Sequence, residues 1–288
     1  MNDWWTIAKR VWARSGDDNV SIMAAGVAFY ALLSIFPGLT TLISFYGLIA
    51  DSSDVRQLIE SMRGVLPAEA VTLLTAQMGS LFQGGSGKFG LGLVVSLGFA
   101  LWSTNYGTAA LISALNVAYE EPERRGYIRA TLTGFALTAA LVLLGILSLL
   151  LVAVLPAVID WLPFPASWRD AVGLVRWPIL AILVMTALAV LYRFGPSRIG
   201  ARWRWLSWGA ALATIVWIAV SIGFSLYVAR FSSYDKMYGS LGAVVVLMMW
   251  LYLTAYVVLL GAELDAALER RGDEAEAAGR DSRRSGRE

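Results

Sequence analysis

The sequence predicts an all-α fold, a polytopic integral membrane helical bundle of about six transmembrane helices with both ends cytoplasmic. Three observations predict it. Of the 288 residues, 58% are hydrophobic and 15% charged, with mean hydropathy +0.63, whereas soluble domains carry about 25% charged residues. Six apolar runs reach the roughly 20 residues that carry a helix across about 30 Å of hydrocarbon. Lys and Arg concentrate in alternate connecting segments, as the positive-inside rule requires of a threaded chain.

The spans fall at residues 22–50, 89–118, 130–159, 174–194, 206–229 and 240–263. The first exceeds the apolar core of a signal peptide, roughly 7–15 residues, and reads as a retained helix. Pro37 interrupts it and is expected to kink it, while Pro156 and Pro178 sit near span ends where they cost less. Gly90, Gly92 and Gly98 are small residues of the kind that let membrane helices approach closely.

Orientation follows from placing the 23 Lys and Arg by segment. The N-terminus has 3, the 119–129 loop 3, the 193–205 loop 4 and the tail 6, making 16 on one side and leaving 7 on the other. The richer side is cytoplasmic, so both termini face the cytoplasm and the membrane is the bacterial inner membrane.

Residues 1–20 form a cytoplasmic interfacial segment in which Trp4, Trp5, Ile7, Val11 and Trp12 alternate with Lys9, Arg10 and Arg14. As a helix it would lie on an anionic leaflet or pack on the protein's own cytoplasmic end. The membrane domain spans 21–269. Within it, the outer segment 51–88 repeats apolar residues at helical spacing, first Val55, Leu58, Ile59 and Met62, then Val71, Leu74, Met78, Leu81 and Phe82. Residues 270–288 are polar and mixed in charge, and read as a disordered cytoplasmic tail.

The chain has no His and no Cys, which removes the commonest general base, the commonest zinc ligand, thiolate metal sites and cysteine nucleophiles. No catalytic, cofactor-binding or metal-ligating residue is assigned. A net charge of +2 without a basic, aromatic-interleaved face excludes a nucleic-acid surface.

Polar groups inside spans are costly, so each is a candidate for a translocation path or gate. Tyr30, Ser34 and Pro37 share one helical face of the first span, with the proline freeing a carbonyl near mid-membrane. They would line a path, as broken helices do in transporters, or form a kink satisfied by a neighbour. Asn105 lies toward the middle of the second span, while Asn116 and Glu120 share a face near its cytoplasmic end. Glu263 closes the last span at the depth where Arg193 follows the fourth. A Glu263–Arg193 pair with Asn116 is therefore the leading polar cluster, as a gate, a headgroup site or a structural ion pair. On the outer side, Tyr234, Tyr238 and Gly239 lie in a polar loop and Trp250 in the span that follows, as interface anchors or packing residues.

Four stretches resemble the YihY/virulence factor BrkB family of bacterial inner-membrane proteins, whose members once bore the name ribonuclease BN. They are AAGVAFYALLSIFPGL at 24–39, WSTNYGTAALISALNVAY at 102–119, LYRFGP at 191–196 and YGSLGAVVVLMMWLYLTAYVVLLGAELDA at 238–266. The resemblance covers residues 15–270 and implies a six-span inner-membrane protein with transport, including transport of lipid, and envelope resistance among its proposed roles. The family pattern often carries a serine run where this chain reads Trp102-Ser103-Thr104-Asn105. With no His to hold metal, ribonuclease chemistry is not expected.

The expected function is a transporter or flippase for a lipid or amphipathic envelope component. Without a carboxylate deep in a span or a Walker-type loop, transport would be passive or partner-driven. The alternative is a non-catalytic scaffold supporting envelope integrity. Membrane lipids are the expected partners, with further copies of the chain or envelope proteins as the macromolecular ones.

Overall fold

The computed structural model describes residues 3–46, 98, 106–151, 166–198, 207–230 and 240–285. All regular structure among them is helical: α1 (Asp3–Asp17), α2 (Val20–Tyr46), α3 (Tyr106–Ala118), α4 (Tyr127–Leu149), α5 (Ala166–Phe194), α6 (Trp208–Arg230) and α7 (Ser240–Ser285). Four stretches are long and apolar enough to cross a membrane: Tyr127–Ser148, Gly173–Phe194, Trp208–Val228 and Val244–Arg271. The described parts of the first two expected spans are the shorter apolar helices Val20–Ser34 and Tyr106–Ala118. The expected outer segment 51–88 lies outside the described residues, as do Asn105, Tyr234, Tyr238 and Gly239.

Hydrocarbon as solvent explains the exterior. Leu143, Leu174, Trp177, Ile215 and Val245 are all exposed, a surface that would drive association in water. Hydroxyls inside these helices are satisfied locally, because no water is there to do it. Ser34, Thr138, Ser148, Thr186 and Thr214 each donate to the carbonyl four residues back, at 2.7–2.9 Å.

Two compact units divide the chain. The first takes Met1–Met23, Leu111–Ile218 and Tyr256–Glu288; the second takes Ala24–Ala110 and Ala219–Ala255. Within the first, α4 packs along α5, and Leu115, Leu191, Tyr192, Ala210, Leu259 and Ala262 are buried. The start of α6 meets α7 through glycine. A Cβ at Gly209 would stand 2.5 Å from both the Asp265 Cβ and the Gly261 carbonyl oxygen, so only glycine permits this approach. Within the second unit, Tyr30 stacks on Tyr106, with ring centroids 6.0 Å apart.

Three features differ from the sequence reading, two of them boundaries. α5 begins at Ala166, which puts Pro178 inside the helix and not near its end. α2 continues unbroken through Pro37 as far as Tyr46, where its described residues end. α7 continues to Ser285 where a disordered tail was expected. That last stretch is rich in Ala, Glu and Arg, all strong helix formers, and sets Glu276 and Arg280 four apart. Polarity alone signals disorder, whereas helix propensity with a helix already nucleated ahead of it removes the initiation cost.

Candidate functional site

Polar side chains of the first unit gather where α1, α3 and α5 end, α6 begins and α7 leaves its apolar stretch. Helix ends leave backbone groups unpaired, and much of this layer answers that need. α3 closes with the Glu121 N–H on the Asn116 carbonyl at 2.9 Å and the Glu120 N–H on Val117 at 2.9 Å, which is a Schellman stop. The residue in its left-handed position is Glu120, φ 57°, where glycine is the usual occupant. A non-glycine there costs on the order of 1 kcal/mol, so its carboxylate needs compensation.

Asn116 is buried and braces two segments. Its amide nitrogen donates to Glu123 at 3.0 Å, and its carbonyl oxygen accepts the Ser197 N–H at 2.8 Å. Arg125 donates to Glu123 at 2.8 Å and to the carbonyls of Gly195 (2.7 Å) and Phe194 (3.3 Å), closing the C-terminal end of α5. The Arg125 bonds, helped by Asn116, hold the Glu123 carboxyl down at about 2.

Asp265 does the same for α6. It accepts from the Tyr119 hydroxyl at 3.0 Å, from the Ser207 hydroxyl and from the Gly209 N–H at 3.3 Å. Ser207 is the N-cap, its oxygen accepting the Ala210 N–H at 3.1 Å, and the aspartate adds negative charge at the positive end of the helix. Burial, with the Asp265 carboxylate second, pushes the Tyr119 phenol above its ordinary range. Arg198 stacks 4.1 Å from the Tyr119 ring centroid and bonds Glu269 at 2.5 Å and the Tyr192 carbonyl at 2.6 Å.

The remaining charges form a different arrangement. Glu263 is fully buried, and neither carboxylate oxygen has a hydrogen-bond partner. Its ion pair is with Arg14, whose Nε lies 3.8 Å from Oε2, beyond hydrogen-bond reach. The same Nε is 4.0 Å from Asp18 Oδ2, which is also buried without a partner. Arg14 Nη2 and Arg270 Nη1 converge on one oxygen of Glu120, the latter at 2.6 Å.

Of the candidate residues, Asn116, Glu120 and Glu263 come to this layer. The arginine that faces Glu263 is Arg14, not the Arg193 expected. Tyr192 explains the difference: its hydroxyl points into α7, donating to the Val258 carbonyl at 2.6 Å, and the next residue is turned by about 100°. The Arg193 guanidinium lies 6.0 Å from the Phe194 ring centroid. Tyr30, Ser34, Pro37 and Trp250 lie in the second unit. The sequence reading missed Asp18, Ser207, Asp265 and Arg270. One signal was available: Glu263 and Arg270 are two helical turns apart and share a face.

α1 belongs to this unit as well. Ile7 and Ser15 are buried and Arg14 joins the ion cluster, so α1 packs on the protein. Trp5 and Trp12 remain exposed.

The family model for virulence factor BrkB matches residues 11–286. The chain belongs to the BrkB family. Among its BrkB-family relatives, the ribonuclease-like protein YfkH of Bacillus subtilis is 31% identical over 86% of this chain and 90% of its own length. The UPF0761 membrane protein RSc1559 of Ralstonia nicotianae is 29% identical over 88% of this chain, which spans 57% of that relative. A UPF0761 membrane protein of Tolumonas auensis is 27% identical over 89% of this chain and 83% of its own length. No solved structure matches the chain. The protein is thus a helical membrane protein of this family.

Proposed function

We propose that this BrkB-family protein is a carrier of a lipid or amphipathic envelope component in the inner membrane, threaded with both termini cytoplasmic. One observation carries this reading. Glu263 is fully buried inside α7 where its apolar stretch gives way to charge, with no donor within hydrogen-bond reach and the Asp18 carboxyl and the Arg14 and Arg270 guanidiniums beside it. A group that served packing alone would be expected to have its bonds completed, as Asp265 and Asn116 do. A buried carboxylate kept short of partners is suited to a polar ligand that comes and goes. The driving force is passive or comes from a partner.

Reconstitution tests it. Vesicles bearing the protein, with fluorescent phospholipids in the inner leaflet, should lose label to outside dithionite faster than empty vesicles. Equal rates across neutral, zwitterionic and anionic lipids would remove the carrier reading. A scaffold is the second reading, favoured by the bracing of helix ends through Asn116, Arg125 and Asp265. It predicts co-purifying envelope proteins, or copies of the chain, without translocation. A ribonuclease role carried over from the name of YfkH has less support, because the chain offers no His to hold a metal or take a proton.

A further inference from the structure

We infer that α1 is a docking surface for anionic phospholipid: it seats its tryptophan face in the cytoplasmic leaflet while its opposite face packs on the helix-end layer of its own unit. The inference holds for a carrier or a scaffold alike, and takes from the proposed threading only which leaflet is meant.

With 3.6 residues per turn, α1 divides into three sectors. Ile7, Val11, Arg14 and Ser15 fall within about 100° of one another. They are the protein side, since Ile7 and Ser15 are buried and Arg14 stands 3.8 Å from Glu263. Trp5, Lys9, Trp12 and Gly16 fall within about 60° on a second side. Both indoles there are exposed, by 67% and 71%, and the Lys9 ammonium lies 5.3 Å from the Trp5 ring centroid. Thr6, Arg10 and Asp17 form the third sector, polar and exposed.

Two contacts fix the depth of this helix. On the protein side, Arg14 meets Glu263 at the point where the apolar stretch of α7 gives way to charge. At its end, α1 turns at Asn19, φ 52°, directly into Val20 and the apolar α2. α1 is thereby held at the edge of the hydrocarbon, where indoles are favoured because one part of the ring system is apolar and its N–H is wet. A helix at that level needs one side for protein, one for lipid and one for water, and the three sectors supply them. Lys9 stands at the rim of the tryptophan stripe, between lipid and water, where an ammonium on a long apolar stem meets phosphate. Lys9 and Arg10 outweigh Asp17 on the exposed sectors, which complements a negatively charged leaflet. A soluble partner would have to reach the stripe at a depth the headgroups already occupy.

The chain has no Cys, so a single introduced thiol is labelled uniquely. A Cβ at Gly16 meets nothing within 4 Å, so Gly16→Cys carries an environment-sensitive fluorophore on the tryptophan stripe, and Asp17→Cys carries it on the water sector. The full-length protein is placed at one copy per nanodisc of phosphatidylglycerol mixed with phosphatidylcholine. The Gly16→Cys label should emit further to the blue and be quenched severalfold more by nitroxide lipids than the Asp17→Cys label, with aqueous iodide giving the reverse order. Lys9→Glu should shift the ratio of seated to lifted helix by about tenfold, and phosphatidylcholine alone should weaken the protection without any substitution. The melting temperature in micelles should not move with Lys9→Glu, because no buried contact is lost. Equal quenching of the two labels overturns the proposal. So does protection unchanged in phosphatidylcholine or by Lys9→Glu, and protection that appears only with two copies per disc assigns the stripe to a second copy instead. Failure of the carrier reading is read elsewhere, as absent translocation, and leaves these label positions unmoved.

Discussion

Asp265 gives the sharpest test of how the helix ends are held. Asp265→Ala removes one acceptor from three donors: the Tyr119 hydroxyl, the Ser207 hydroxyl and the Gly209 N–H. Ser207 keeps its bond from Ala210, but the buried Tyr119 hydroxyl loses its acceptor. An abandoned buried donor costs about 1–3 kcal/mol, and the space left by the carboxylate adds on the order of 1 kcal/mol. The expected loss is about 3 kcal/mol, a fall in Tm of roughly 9 °C at about 3 °C per kcal/mol for a chain of this size. Thermal unfolding in micelles, followed by tryptophan emission, measures it. Tyr119→Phe alone should cost less, since Asp265 keeps two donors, and the double variant should lose less than the sum of the singles. An Asp265→Ala protein that melts with the wild type, or strict additivity in the cycle, would refute the reasoning.

Gly209→Ala should lower Tm more than the usual glycine-to-alanine change in a helix, by about 1–3 kcal/mol, because the new methyl would press on Asp265 Cβ and the Gly261 carbonyl. The same melting assay reads it. Glu123 is held at about 2, below its ordinary 4.5, so its contribution is complete above that ordinary value and is lost as pH falls toward about 2. The Tm gap between wild type and Glu123→Gln should therefore be widest at neutral pH and close on acidification; a gap that widens in acid would contradict the assignment. The absence of Cys makes a single introduced thiol unique. Ser285→Cys should resist a membrane-impermeant maleimide added to intact cells and react after permeabilisation, and labelling of intact cells would reverse the threading.

Four of the six expected spans, those with long apolar helices among the described residues, were legible because a hydrocarbon-crossing helix has a length and composition few other elements share. α4, α6 and the apolar part of α7 begin or end within a few residues of the expected positions. Glu263, Asn116 and Glu120 were legible as polar groups in costly places. Their partners were not, because partner choice depends on which way each helix faces. Arg193 and Glu263 share a depth, yet Tyr192 occupies the face of α5 that meets α7 and turns Arg193 aside. Arg14 entered the sequence reading as a topology-setting charge and as part of the basic face of residues 1–20, since nothing local ties it to residues beyond 100 positions away. Asp265 was passed over for a related reason. Only two residues after Glu263, it reads as the start of a solvated end, whereas the Gly209–Gly261 contact draws it against the first turn of α6.

The two acids of α7 separate two uses of charge. Asp265 and Glu263 differ by less than one helical turn and are both buried, so depth and dielectric are similar for both. Asp265 has three donors and is fixed by them. Glu263 has none, although Arg14 carries donors that could reach it if the side chain were not committed to Glu120. Glu120 commits it from a left-handed backbone position that glycine would occupy more cheaply. Glycine there would relax the backbone and release both Arg14 and Arg270, and a released Arg14 would close on Glu263 and complete it. The strained glutamate thus has a physical consequence at a distance: it divides Arg14 between an exposed carboxylate and a fully buried one.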